Sequence, residues 1–307
     1  GKYGANLMEE VARYALVAAT IATQQQFDVI HAHDWLTYAA GIAAKRVSGK
    51  PLVIHVHATE FDRSGENVNQ TVYNLERQGM LEADRVITVS NLTRDIVINR
   101  YHINPDKVFT VHNAVDFQSY QDMEVNRGVK EKVVTFLGRI TYQKGPEYFI
   151  EAASKVLKRF PNVRFVMAGS GDLMNRSIRR VAKLKIATKF HFTGFLRGQD
   201  VQKMFAYSDV YVMPSVSEPF GISPLEAMRS GVPTIISKQS GVAEVLKHAI
   251  KVDFWDVDAL ADAIYALLAY PALSEFAAKY GLNEVNTLKW ENAAFKLKQI
   301  YEDVKRG

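Results

Sequence analysis

The chain has 307 residues, 48% of them hydrophobic and 23% charged, which is typical of a folded globular protein and excludes general disorder. Its net charge of +5 is scattered, with no basic stripe interleaved with aromatic residues, so it does not indicate a nucleic-acid partner, although contact with an anionic membrane surface stays open. The absence of cysteine excludes disulfides and thiolate metal sites, and with no readable signal peptide or membrane span it favours the cytoplasm.

Short apolar runs alternate with longer amphipathic segments, which is the pattern of βα units around a parallel sheet. The first part of the chain contains four predicted strands, at 28–32, 52–57, 85–90 and 108–111. Residues 113–132 lose the apolar periodicity and are rich in polar and charged residues, which indicates a linker. Six further strands are predicted at 133–137, 163–167, 190–193, 210–213, 233–236 and 251–254.

The sequence beyond Asp256 is helical in character. Helices are predicted at 257–269, at 273–280 with an end at Gly281, and at 290–304. We therefore predict three segments: a short N-terminal domain at 1–120, a C-terminal domain at 121–285, and a final helix at 286–307 that packs back on the first domain.

Glycines and charged residues follow the strands of the second predicted domain. Ligands of open parallel sheets bind beyond the carboxyl ends of the strands, so these positions are candidates for a binding site. Glycines there let backbone N–H groups approach a ligand closely. The residues after the first three strands are Gly138, Arg139, Lys144 and Gly145, then Gly169, Ser170 and Gly171, then Gly194, Phe195 and Leu196.

The segment 217–226 follows the fourth strand and predicts an anion site. Ser223 is the expected N-cap and Pro224 the first residue of a helix, whose N-terminus attracts negative charge. A diphosphate there would also suit Arg139 and Lys144, and Glu226 would accept hydrogen bonds from a ribose. Taken singly, Arg139 and Lys144 are more often surface charges, and Glu226 is more often a partner of the helix dipole.

Together these residues resemble the C-terminal half of family 4 (group 1) of the retaining, nucleotide-sugar-dependent glycosyltransferases, which include glycogen, starch and sucrose synthases. The centre of the resemblance is Glu218 and Glu226, separated by seven residues in the run EPFGISPLE. It extends from about Phe27 to the C-terminus and implies the α/β fold called GT-B. In that fold two Rossmann-like, doubly wound parallel-sheet domains face each other across a cleft. We expect the first domain to be incomplete, because the family's initial strand and glycine-rich loop do not precede Gly1.

The resemblance also implies roles for individual residues. Glu218 would contact the hydroxyls of the donor sugar, Glu226 the ribose, and Arg139 and Lys144 the leaving nucleoside diphosphate. His57 would face the transferred sugar, so the implied catalytic residues are His57, Arg139, Lys144 and Glu218. The other donor-binding residues would be Gly138, Gly169, Gly171, Phe195, Leu196, Phe220, Gly221 and Ile222. On the acceptor side lie His33 and Asp34, which with Trp35 are similar to glycogen and starch synthases and favour glucose. The family normally needs no metal or other cofactor and no enzymic nucleophile.

Other functions remain open from the sequence. The pairs His31 with His33 and His55 with His57 also resemble zinc ligands on strands, but the second domain offers only His191 and His248 outside that pattern to complete a hydrolase site. Asp34 and Trp35 are equally consistent with capping and packing the following helix. A sugar-nucleotide epimerase of the same fold, a sugar-binding protein without catalytic activity, and a fragment that binds nucleotide sugar without activity are the remaining alternatives.

Overall fold

A computed structural model describes residues 4, 6–116, 123 and 125–306 of the chain. The chain divides into two compact units. The first unit comprises Gly1–Asn113 together with Trp290–Gly307, and the second comprises Ala114–Lys289. The predicted boundary at 120/121 and the middle of the predicted linker fall on residues 117–122, which lie outside the described residues.

The described part of the first unit contains a four-stranded parallel sheet in the order β1-β2-β3-β4. The strands are β1 (Ile30–His33), β2 (Leu52–Val56), β3 (Arg85–Thr88) and β4 (Val108–Thr110). The helices are α1 (Leu7–Gln24), α2 (Trp35–Ser48), α3 (Glu60–Ser64), α4 (Gln70–Glu82), α5 (Asn91–Tyr101) and the last helix of the chain, α12 (Trp290–Arg306).

The final helix belongs to the first unit because it covers the sheet of that unit. Ala293, Ile300 and Val304 of α12 form one buried cluster with Val53, Ile87 and Val111. A larger core of this unit includes Trp35 and Tyr38 from α2 and Leu52 and Ile54 from β2. Burial of such apolar side chains contributes about 1.5–3 kcal/mol each, so both clusters stabilise the sheet.

The described part of the second unit contains a six-stranded parallel sheet in the order β10-β9-β8-β5-β6-β7. The strands are β5 (Lys132–Leu137), β6 (Val163–Ala168), β7 (Phe190–Gly194), β8 (Val210–Met213), β9 (Thr234–Ser237) and β10 (Ile250–Val252). The helices are α6 (Pro146–Arg159), α7 (Met174–Lys183), α8 (Gln199–Tyr207), α9 (Ser223–Arg229), α10 (Val257–Ala269) and α11 (Pro271–Val285).

The order of the second sheet reverses between β5 and β8. The chain runs from β5 outward to β6 and β7, and then returns to the other side of β5 with β8, β9 and β10. Such a reversal opens a crevice at the carboxyl ends of the two central strands. The segments that follow β5 and β8 therefore meet at this crevice. Arg139, Lys144 and Glu218 precede the next helices, α6 and α9, and Glu226 lies in the first turn of α9.

Each of the ten predicted strands is present, with ends within two residues of those expected. The predicted helix end at Gly281 is wrong, because α11 continues to Val285. Gly281 is buried against Met228 of α9, where an added Cβ would lie 3.0 Å from the Met228 Cε. The glycine serves close helix packing here and does not end the helix. Among the described residues, no single helix has the length and apolarity to span a membrane, and one bent helix pair meets that test only by length and composition.

Candidate functional site

Lys144 and Glu218 are brought together by the loops after β5 and β8. The Lys144 Nζ forms an ion pair with Glu218 Oε2, and both side chains are largely buried. The Ser215 Oγ donates to the same carboxylate oxygen at 3.3 Å. The sequence predicted a phosphate-binding lysine and a sugar-binding glutamate as separate contacts, and the structure adds that each is the other's partner.

Gln143 links Arg139 to the second loop. Its Nε2 donates to the Ser217 carbonyl at 3.1 Å, and its Oε1 accepts from the Arg139 Nη2 at 3.3 Å. The Gln143 side chain is buried, whereas Arg139 is exposed. Sequence reasoning missed Gln143, since a glutamine beside a lysine carries no signal of a tertiary bridge.

Backbone hydrogen bonds fix the loop that contains Phe220, Gly221 and Ile222. The Glu218 N–H donates to the Gln239 carbonyl at 3.0 Å, and the Val242 N–H donates to the Phe220 carbonyl at 2.7 Å. The Phe220 side chain is buried. One expectation is corrected here, because Ser223 is the first residue of α9 and Ile222 occupies the N-cap position. Ile222 has no side-chain oxygen for capping, and the Leu225 and Glu226 N–H groups in the first turn of α9 donate to the Ile222 carbonyl.

Glycines let the turns after β5 and β6 touch through their backbones. Gly169 has φ of +144°, and a Cβ built there would lie 1.8 Å from the Gly138 carbonyl oxygen. A Cβ at Gly171 would lie 2.3 Å from the Ile140 carbonyl oxygen. Only glycine fits these two positions.

A pocket of about 430 Å³ opens at these turns. Glu226 lines it, and burial raises the pKa of the Glu226 carboxyl above its ordinary value. The pocket brings together six of the residues predicted to bind a donor and adds others that the sequence did not indicate, such as Asp116 and Gln202. Its lining is Val115, Asp116, Leu137, Gly138, Arg139, Ala168, Gly169, Ser170, Phe195, Leu196, Gly198, Val201, Gln202 and Glu226.

The other predicted donor residues do not line this pocket. Lys144 and Glu218 lie on the same two loops but form their own buried pair, and Gly171 packs against the backbone of Ile140. Phe220, Gly221 and Ile222 also lie outside the lining. The second unit thus contains a concave pocket lined by Arg139 and the half-buried Glu226 carboxylate. The loops that form the pocket also carry the largely buried Lys144–Glu218 pair.

Four histidines cluster at the carboxyl ends of β1 and β2 in the first unit. The His31 Nε2 lies 3.0 Å from the His55 Nδ1, and the His33 Nδ1 lies 2.9 Å from the His57 Nε2. Burial, followed by repulsion from neighbouring histidines, lowers the pKa of His31 to about 4 and that of His55 to about 2. These two imidazoles are therefore neutral at pH 7.

Asp34 positions the strand end that carries His57. Its Oδ1 accepts a hydrogen bond from the His57 N–H at 2.8 Å, and its backbone has φ of 60°. The adjacent Trp35 is buried in the core. The sequence left open whether these two residues cap and pack the following helix. Trp35 does pack that helix. The Asp34 carboxylate makes no capping hydrogen bond to α2 and instead holds the end of β2.

We expect Asp34→Ala to lower the free energy of unfolding by about 1.5–3 kcal/mol, because a charge-assisted hydrogen bond to the His57 N–H is lost. Asp34→Asn is the matched control, since it keeps an acceptor oxygen and tolerates positive φ. Urea unfolding of both variants measures the difference. Equal stability of the alanine variant and the unchanged chain would show that this hydrogen bond does not support the strand end.

Both parts of the chain match families of known proteins. Residues 120–284 match the family described as "Glycosyl transferases group 1", and residues 7–119 match "Glycosyltransferase Family 4". An uncharacterized glycosyltransferase of Methanocaldococcus jannaschii is 32% identical over 296 residues, covering 90% of this chain and 75% of the relative.

Solved structures share the fold at lower identity. Sucrose-phosphate synthase from Thermosynechococcus elongatus superimposes with a TM-score of 0.81 at 21% identity, covering 97% of this chain and 79% of that one. HepE of Anabaena, solved in complex with UDP-glucose, has a TM-score of 0.80 at 20% identity, covering 97% of this chain and 82% of that one. The two α/β units therefore have the GT-B fold that the sequence predicted.

Proposed function

The chain belongs to the group 1 glycosyltransferases, enzymes that transfer a sugar from a nucleotide sugar, and on that premise we propose a specific reaction for it. The transferred sugar is a hexose, namely glucose, the acceptor is a hydroxyl group, and the anomeric configuration is retained. The UDP-glucose in the HepE structure supports a glucose donor with UDP as its nucleotide, and the His33-Asp34-Trp35 run also supports glucose.

The pocket beside Gly138 and Gly169 is the observation that carries this proposal. Its volume of about 430 Å³ lies within the range of small-molecule sites. Arg139 supplies the positive charge and fork geometry that suit a diphosphate, and Glu226 supplies a carboxylate that suits ribose hydroxyls. Phe195 and Leu196 line the same pocket with apolar surface for a base.

Lys144 and Glu218 are the proposed catalytic pair of the second unit. A cation fixed before the reaction stabilises negative charge that develops on the departing phosphate. Glu218 holds Lys144 in place and offers its second oxygen to the donor sugar. The proposed transfer step uses Arg139 and Lys144 for charge stabilisation and requires no metal ion. His57 is the proposed catalytic residue of the first unit.

We expect Arg139→Ala to weaken UDP binding by about 10- to 100-fold, as for the loss of one charge-assisted hydrogen bond. The fold should be preserved, because Arg139 is exposed and its contact with the Gln143 side chain is long, at 3.3 Å. Arg176→Ala is the matched control, since Arg176 is also exposed and lies on α7 away from the pocket lining. Calorimetric titration measures both affinities. An unchanged UDP affinity in Arg139→Ala would refute the assignment of this pocket as the nucleotide-binding site.

The stereochemical part of the proposal has its own test. The chain is incubated with UDP-, ADP- or GDP-glucose and a panel of hydroxyl acceptors, and the new glycosidic bond is assigned by proton NMR. Retention gives an α-linked product from the α-linked donor. A β-linked product would refute retention, and turnover of the donor without an acceptor would favour the epimerase alternative.

A further inference from the structure

Three histidines of the first unit hold ring nitrogens within coordinating reach of a single ion. His31 and His33 are two residues apart on β1, so their side chains project from the same face of the sheet. The strand register pairs His33 with His55 of β2. One nitrogen from each residue lies within 4.8 Å of the others. A tetrahedral zinc ion with bonds of about 2.1 Å holds its nitrogens about 3.4 Å apart. The three rings are nearly parallel, with interplanar angles of 10°, 14° and 24°, so side-chain rotations as well as small shifts are needed to direct the three nitrogens at one ion.

His55 provides an independent sign that a partner belongs in this cluster. The side chain is 6% exposed, and among the described residues its Nε2 has no hydrogen-bond partner. Leaving a buried polar nitrogen unsatisfied costs about 1–3 kcal/mol. Coordination of a metal ion by Nε2 would remove this cost. If Nδ1 coordinates the ion instead, a ring rotation that brings Nε2 to a hydrogen-bond partner would also remove it.

Tyr301 orients His31 toward the cluster. The Tyr301 hydroxyl of α12 shares a hydrogen bond with His31 Nδ1, so His31 Nε2 faces His55. Histidines that ligate metals normally bond through their other ring nitrogen to an outer partner, which fixes the tautomer and the ring orientation. The His31–Tyr301 pair already has this arrangement.

We propose that His31, His33 and His55 form a binding site for a zinc-class transition-metal ion, with three imidazole ligands and an open position for water. Imidazole suits zinc and its first-row neighbours, and three protein ligands leave the fourth position of a tetrahedral ion free. His33 is exposed and provides the route of entry from solvent. All three ligands belong to the first unit, and the His33 Nδ1 also lies 2.9 Å from the His57 Nε2.

Zinc binding to the full chain, prepared without an affinity tag and treated with a chelator, tests this site. Zn²⁺ alone is the probe, and competition with a chromophoric chelator gives its stoichiometry and affinity. We expect one ion per chain, binding in His33→Gln to be weaker by more than about 100-fold, and binding in Tyr301→Phe to be weaker by about 10- to 100-fold, as for loss of an outer partner.

His102→Asn is the matched control, because it also removes one histidine of the first unit, from an exposed position with φ of 57° that asparagine tolerates. It should bind zinc as the unchanged chain does, and circular dichroism confirms that each variant is folded. His31→Gln serves as a second ligand variant if His33→Gln fails to fold. Failure of the unchanged chain to bind one zinc ion would overturn the proposal, as would equal affinities in the ligand and control variants.

Discussion

Lys144→Ala is expected to reduce the rate of sugar transfer by about 10²- to 10³-fold, the loss typical of a group that stabilises transition-state charge. The same substitution should lower the free energy of unfolding by about 3–5 kcal/mol, because it leaves the Glu218 carboxylate buried without its cation. The side chains of the pair are only 21% and 9% exposed, so solvent compensates little. Release of nucleoside diphosphate in the presence of acceptor and urea unfolding measure the two effects.

A double variant separates stability from catalysis. Lys144→Met combined with Glu218→Gln removes both buried charges while roughly preserving side-chain volume, and such replacements are often neutral for stability. We expect the double variant to recover most of the lost stability but none of the lost activity. If its transfer rate recovered together with its stability, Lys144 would act through folding alone and its catalytic assignment would be wrong.

Gly169→Ala is expected to lower the free energy of unfolding by about 2–6 kcal/mol and to abolish measurable UDP binding. The added Cβ would meet the Gly138 carbonyl oxygen at 1.8 Å, and φ of +144° is strained for any L side chain. Relief requires separation of the turns after β5 and β6, which together form the floor of the pocket. Thermal unfolding and calorimetric titration of UDP measure the two losses.

Gly231→Ala is the control for backbone strain without a clash. Gly231 also has positive φ, at +72°, but among the described residues no atom lies within 4 Å of the position that an added Cβ would take. We expect only the strain cost of about 1–3 kcal/mol and unchanged UDP affinity. Equal losses in the two variants would show that backbone strain, and not contact between the two turns, makes glycine necessary at position 169.

The sheets were predictable from the sequence because strands buried on both faces are continuous apolar runs. Val210–Met213, which is buried along its whole length, illustrates this. The glycines and charges that follow the strands indicated the pocket. Gly281 misled the prediction, since a glycine in a helical pattern has the same sequence signature whether it ends the helix or packs against Met228.

The parts of the site that depend on tertiary pairing were not predictable. The Gln143 bridge needs the β5 and β8 loops to meet, which depends on the strand order of the second sheet. The contact between His33 and His57 depends on the register of β1 against β2, and the contact between His31 and Tyr301 joins residues 270 positions apart. Sequence reasoning identified the histidines but had no means of assigning their partners.

A crystal structure of the full chain with UDP tests the central claim most directly, because it locates the nucleotide. We predict the diphosphate within hydrogen-bond distance of Arg139 and of the backbone at Gly138 and Gly169, and the ribose hydroxyls on the Glu226 carboxylate. UDP bound outside the pocket, or bound within it without contact to Arg139 and Glu226, would contradict the account.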